Sequence, residues 1–389
     1  MTLRVNEKRE RYKKCIVQQL YFHHTLSCLQ LSNKIDKSLP FTTQVLGLLI
    51  QEGVVKEDGV GISTGGRKPS AFTLCPDKIY VVTIVIEQAT ISLALIDIAN
   101  NQISQLIKVE HRPTDCPEIS LHLVQHIHQL IGSSDLDKKK IKAIGIGASG
   151  LACFTQDINY TIDKESLVAT LSEATHLPVF VHSISSLAAM AELYFGTAMN
   201  RKNVAVIYLG WEMGLGMILN GEIYNGTNGV AGEFSHLPLF NNNRLCSCGK
   251  SGCLQTEASL PMLVHKTREG LKNEKLSALD KVDMACPEKA FDMIVCAALK
   301  GDRLSVELIS EAGYDIGRGA AVLVHLLNPD AIIISGHGAS AGKLWQAPIQ
   351  QALNEHSIPM LSRGTEIMIS KLGNNAVLLG AAAMAMKQD

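Results

Sequence analysis

No apolar run in this 389-residue chain reaches the roughly 18 consecutive residues that a membrane-crossing helix needs. The opening stretch, residues 1–14, is charged and no apolar core follows it, so it does not read as a signal peptide. Low-complexity and heptad segments are missing too. A disulfide framework is also lacking: Cys15, Cys28, Cys75, Cys116, Cys153, Cys286 and Cys296 are scattered, as reduced thiols of a cytoplasmic protein would be. Net charge is only −1. These absences argue against a membrane protein, a secreted disulfide module and a fibrous chain. What remains is a chain long enough for two or three domains, with 46% hydrophobic residues to build a sizeable core.

The cysteines that are not scattered form the densest motif present, Cys246-Ser247-Cys248-Gly249-Lys250-Ser251-Gly252-Cys253, with His236 upstream. Three thiolates and one imidazole make a closed tetrahedral set for Zn²⁺, at about 2.3 Å for sulfur and 2.0–2.1 Å for nitrogen. Gly249 and Gly252 suit the tight loop that gathers three sulfurs around one ion. Four protein ligands leave no open position, so the expected role is structural.

Charge is unevenly spread. Residues 1–72 carry 11 Lys+Arg against 6 Asp+Glu, and the remainder carries 25 against 31. A basic head on an acidic body suits a polyanionic partner. Residues 8–57 read as three helices, at about 10–22, about 27–35, and a third N-capped by Ser38 with Pro40 in its first turn and Gly53 past its end. Two short helices joined by a tight turn make a helix-turn-helix. Val54-Val55-Lys56 and Phe72-Thr73-Leu74 suit the strands of a wing. In such a motif the second helix enters the major groove by its N-terminal residues, which makes Ser38, Thr42, Thr43 and Gln44 candidates to contact double-stranded DNA. Gln44 has the groups to pair with adenine.

Beyond residue 75 the texture becomes α/β. Tyr80–Ile86 and Ile91–Ile98 read as a hairpin; residues 141–147, 179–181, 204–209 and 331–335 are further strands; helices fall at 185–194 and 307–327. The strand group starts twice, near Ile79 and again at Val204, as two similar lobes facing a cleft would.

Gly232-Glu233-Phe234-Ser235-His236 followed by the cysteine motif resembles the signature of the ROK family, which holds sugar kinases and sugar-responsive repressors. The resemblance runs from the N-terminal segment to Leu378-Leu379-Gly380-Ala381-Ala382. It implies two actin-like, ribonuclease-H-like α/β lobes around a cleft, preceded by an all-α winged helix-turn-helix domain. The corresponding domains are 1–74, 75–200 with a C-terminal helix at 374–389 packing back, and 201–373 with the zinc loop. Gly65-Gly66-Arg67-Lys68-Pro69 is similar to the linker of ROK repressors and adds Arg67 and Lys68 as DNA contacts. The sugar side would be Gly150, Ser183, Glu233, His236 and Gln255. His236 would use one ring nitrogen for the metal and the other toward ligand. Gln255 stands where the family carries Glu, and Glu257 reads as an ordinary helix residue.

Against the family's kinases, the catalytic parts are altered. The first phosphate loop, Asp-x-Gly-Gly-Thr there, is Ile86-Glu87-Gln88-Ala89-Thr90 here. Trp211 and Glu212 interrupt the second, within Gly210–Gly216. The catalytic Asp position falls on Ile184, which cannot accept a proton. Asp157 and Asp163 can be weighed as substitutes, and both read as surface loop acids. No ATP binding and no kinase activity are expected. The reading is a sugar-responsive repressor of carbohydrate genes, acting as a homodimer or dimer of dimers on DNA, with a sugar or sugar derivative as effector. An active sugar kinase with an appended DNA-binding domain, and a ligand-independent DNA-binding scaffold, are the alternatives.

Overall fold

The computed structural model describes residues 2–60, 70–87, 90–110, 119–134, 136–149, 163–281 and 287–388. The head comprises α1 (Thr2–His23), β1 (Leu26–Ser27), α2 (Cys28–Lys34), α3 (Leu39–Gln51), β2 (Val55–Val60) and β3 (Ser70–Leu74). Ser27 closes a capping box at α2: its hydroxyl accepts from the Gln30 amide while the Gln30 side chain accepts from the Ser27 amide. Gly53, at φ +68°, ends α3 as expected. Two expectations are corrected here. The head is not all-α, since its strands form a three-stranded sheet in the order β1-β3-β2. Its first helix starts at Thr2, well before residue 10.

The first lobe holds β4 (Tyr80–Ile86), β5 (Thr90–Asp97), β6 (Ile107–Glu110), α4 (Ile119–Gly132), β7 (Ile141–Ala148), α5 (Lys164–Thr175), β8 (Val179–Ser183) and α6 (Ile184–Phe195). In the second lobe come β9 (Val204–Leu209), β10 (Met213–Leu219), β11 (Glu222–Tyr224), α7 (Gln255–Ala258), α8 (Leu260–Lys272), α9 (Pro287–Leu299), α10 (Arg303–Leu327), β12 (Ala331–Ser335), α11 (Gln346–His356), α12 (Pro359–Ser362) and β13 (Glu366–Ile369); α13 (Ala376–Gln388) follows. The sheets run β6-β5-β4-β7-β8 and β11-β10-β9-β12-β13. Both place three antiparallel strands beside two parallel ones in the same order. The doubled strand pattern in the sequence is therefore a doubled topology.

The central strands β4 and β9 are buried along their whole length, which is why they read as unbroken apolar runs. The polar exception, Thr83, donates to the Ala94 carbonyl at 3.2 Å. Helix α13 returns to the first lobe and packs on β4, β7 and α6. Contact there is backbone to backbone: a Cβ on Gly380 would lie 2.0 Å from the Leu187 carbonyl oxygen, and one on Gly145 would lie 2.2 Å from that of Ala381. One continuous core joins Ile16, Leu20 and Tyr21 of α1 to Leu187 and Ala191 of α6 and to α13.

Candidate functional site

The metal-ligand candidates converge. The ligand atoms of His236, Cys246, Cys248 and Cys253 all lie within 4.8 Å of one another. Cys246 Sγ is 3.4 Å from His236 Nδ1, and Cys248 Sγ is 3.7 Å from Cys253 Sγ. A tetrahedral ion bound at ordinary thiolate and imidazole lengths sets these edges at about 3.6 and 3.8 Å. Cys246 and Cys253 are buried. Burial, together with the two facing thiols, pushes Cys253 up to about 12, so three ionised thiols are unfavourable here without a cation between them. Burial holds His236 below the ordinary histidine range, which favours the neutral imidazole that a metal needs. The cluster can hold a metal ion.

Local backbone geometry builds this loop. The Cys246 amide donates to the Lys250 carbonyl at 2.7 Å and the Gly249 amide to that of Cys246 at 2.9 Å. Gly252 has φ +81°, and a Cβ there would stand 2.1 Å from the Phe240 carbonyl oxygen. Glu257 is corrected from ordinary helix residue to brace. It is 9% exposed and takes Asn242 Nδ2 at 2.7 Å, Arg244 Nη1 at 3.0 Å and Lys266 Nζ at 3.3 Å. Sequence reasoning missed it because its partners come from the loop and the next helix, and no spacing rule links them.

Glu233 and His236 meet on the side of the ring away from the sulfurs, with Nε2 3.7 Å from Glu233 Oε2. Burial raises the Glu233 carboxyl above its ordinary range. Gln255 turns to the metal loop, donating to Cys246 Sγ at 2.9 Å and Ser247 Oγ at 3.0 Å. Ser183 caps α6, its hydroxyl accepting from the Ser186 amide at 3.3 Å. Gly150 and Asp157 lie outside the described residues. Asp163 caps α5 through the amides of Glu165 and Ser166.

A recess between the lobes gathers Glu87, Lys108, Tyr208, Gly210, Trp211 and His337. Glu87 of the first lobe accepts from the Tyr208 hydroxyl of the second at 3.1 Å. Burial, and then the nearby Glu288, push the Glu87 carboxyl above its ordinary range. Lys108 pairs with Glu288 across the same gap. Ile184, 6% exposed, opens α6.

In the head, α2 and α3 are joined by residues 35–38, and Ser38, Thr43 and Gln44 are exposed. Ser38 precedes α3 without making a side-chain cap bond. Thr42 is a correction: it is fully buried and its hydroxyl donates to the Ser38 carbonyl at 3.1 Å, so it cannot reach a base edge. Buried Val45 and Leu46 share its side of α3. Arg67 and Lys68 lie outside the described residues. No described helix is long and apolar enough to cross a membrane.

A glucokinase of Halalkalibacterium halodurans is 30% identical over 70% of this chain and 84% of its own. The xylose repressor of Caldicellulosiruptor bescii is 26% identical over 96% of this chain and 95% of its own. In fold, the crystal structure of a ROK family transcriptional regulator, a homologue of the E. coli MLC protein, matches with TM-score 0.76 and 23% identity, covering 96% of this chain and 95% of that one. The sequence description of the ROK family spans residues 82–388, both lobes and the metal loop included, and this chain belongs to that family.

Proposed function

We propose that this protein is a sugar-responsive transcriptional regulator, a repressor of carbohydrate genes that binds DNA through residues 1–74 and does not phosphorylate sugars. The observation that carries the reading is Ile184, an apolar and buried side chain where the family's kinases hold their catalytic carboxylate. Phosphoryl transfer rests on positioning and charge stabilisation, and a missing base is hard to replace. Glu87 and Trp211 stand in the recess where phosphate loops would lie. The match to a named repressor runs through the head as well as the lobes.

The metal is zinc and structural, held by His236, Cys246, Cys248 and Cys253, a closed set with no position for a substrate. It fixes the loop that presents Glu233 and His236 to a sugar. Ligand in the cleft changes lobe geometry, and with it the spacing of two heads on a pseudo-palindromic site. Thr43 and Gln44 read base edges; Ser38, Arg67 and Lys68 meet phosphate.

The 30% identity to a glucokinase favours a second reading, a sugar kinase with an appended DNA-binding head. A scaffold that binds DNA without responding to ligand is the third. Three measurements separate them: thermal shift with pentoses, hexoses, amino sugars, their phosphates and nucleotides; ADP release with the same sugars; and selection of genomic DNA fragments followed by titration at several salt concentrations. The regulator reading expects a sugar-induced shift, background ADP release and strongly salt-dependent DNA binding. ADP release abolished by changes in the cleft would establish the kinase. If no fragment is selected over random DNA, and removal of residues 1–74 leaves DNA affinity unchanged, the regulator reading fails.

A further inference from the structure

Glu192 is a fully buried carboxylate, 0% exposed, in the last turn of α6. The chain passes between the lobes twice, at residues 196–203 from α6 to β9 and at residues 370–375 from β13 to α13. Glu192 holds both crossings. Its Oε2 accepts from the Thr197 amide at 2.8 Å in the first crossing. Its Oε1 accepts from the Ser370 hydroxyl in the second, and from Ser335 at the end of β12 at 3.2 Å. Ser370 Oγ in turn accepts from the amides of Leu372 and Gly373 at 3.0 Å each. Even the backbone carbonyl of Glu192 takes the Gly196 and Ala198 amides. The first crossing is so tight that a Cβ on Gly196 would lie 2.3 Å from Glu192 Oε2.

The next residues along the helix touch the head. Tyr194 lies against Phe22 at 4.3 Å between ring centroids, and Phe195 against Tyr21 at 5.4 Å, edge to face. Around them, the Tyr21 hydroxyl donates to Asn100 at 2.6 Å, and Gln18 donates to the Met386 carbonyl of α13 at 2.9 Å. At its other end α6 begins with Ser183 and Ile184. We infer that Glu192 is the joint through which a change in lobe angle reaches the head, with α6 as the lever and the Tyr194–Phe195 pair as its contact. The use of that joint, ligand control of DNA binding, rests on the regulator reading; the coupling itself does not.

The chemistry of the joint supplies the variant. Ser370 Oγ already accepts two amides, so toward Glu192 it can only donate, and the Thr197 amide can only donate. A carboxamide at 192 satisfies one of them and sets its own N–H₂ against the other. Amide hydrogen exchange is measured on the full chain without DNA or sugar. Glu192→Gln is expected to speed exchange about tenfold in residues 196–203 and 370–375, and also, by about threefold or more, in residues 16–23 of α1. Phe22→Leu should act in reverse, loosening residues 196–203, because coupling is reciprocal. Ser370→Ala is a milder form of the first change and serves if Glu192→Gln does not fold. Loosened crossings with residues 16–23 unchanged would reduce Glu192 to a local staple and overturn the inference. Wild-type protein that selects no DNA would sink the regulator reading while leaving this result intact.

Discussion

The metal loop and the recess between the lobes are held together in different ways. In the loop the four ligand atoms lie within 4.8 Å of one another, and the edges from Cys246 to His236 and from Cys248 to Cys253 are close to those a tetrahedral ion imposes. In the recess the walls are the ends of strands from both lobes, and side chains pair across it. Glu87 accepts from Tyr208, and Lys108 pairs with Glu288, across the gap. The difference follows from what each site holds up. A metal loop with little regular structure loses its fold with its ligands. A recess walled by two complete sheets takes its shape from those sheets, and the residues lining it can serve as contacts between lobes.

The comparison is broken most severely at the loop. Cys248→Ser is expected to cost about 4 kcal/mol or more, the range of lost metal sites, and to lower metal content from one ion per chain. Thermal melts with and without chelator, alongside elemental analysis, measure this. A variant with full metal content and unchanged melting would show that the loop does not depend on its ligands. Next in size is Ile184→Asp, which puts an acid at the position where the proposed reading sets the catalytic acid of the family's kinases. Ile184 is buried, so the change is expected to cost about 2–4 kcal/mol, and ADP release should remain at background. Turnover in this variant would mean that the recess has kept its phosphate-binding competence, and the contrast between the two sites would collapse.

A smaller effect is expected at the brace. Glu257→Ala leaves Arg244 and Lys266 without their shared carboxylate. Arg244 is largely solvated, so the loss should be about 1–2 kcal/mol. Metal should be held more loosely without being lost, which a competition titration with a chromogenic chelator would detect. Unchanged metal affinity would confine Glu257 to α7 and α8.

How far the sequence reveals these sites depends on how local each one is. The four candidate metal ligands were legible, because they lie close in sequence and their chemistry is specific. Much of the fold was legible for a similar reason: buried central strands such as β4 and β9 are unbroken apolar runs, and α13 is apolar all round. The three-stranded sheet of the head was only half visible, since β1 is two residues long and exists by pairing with β3. Thr42 was misplaced because polarity suggested exposure, whereas its hydroxyl is satisfied by the Ser38 carbonyl one turn back. Glu257 and Glu192 were illegible as functional residues. Their partners lie up to 178 positions away, and only the folded chain brings them together.

The smallest expected effect tests the recess from the inside. Glu87 has its carboxyl raised above the ordinary value of 4.5, first by burial and then by Glu288. A raised folded value means the folded state binds more protons than the unfolded one. The neutral acid's contribution is therefore complete below about pH 4.5 and is lost as pH rises through the folded value. Once ionised in the fold, the carboxylate works against stability. Glu87→Gln imitates the neutral acid, keeps the shape and can still accept the Tyr208 hydroxyl. The variant should melt a few degrees above wild type at pH 7 and close to it at pH 4, with a correspondingly flatter pH profile. A variant that melts below wild type at pH 7 would mean that the ionised carboxylate is what the closed recess requires. Glu87 would then be half of a charged clasp between the lobes, and the recess would be as dependent on its particular residues as the metal loop is.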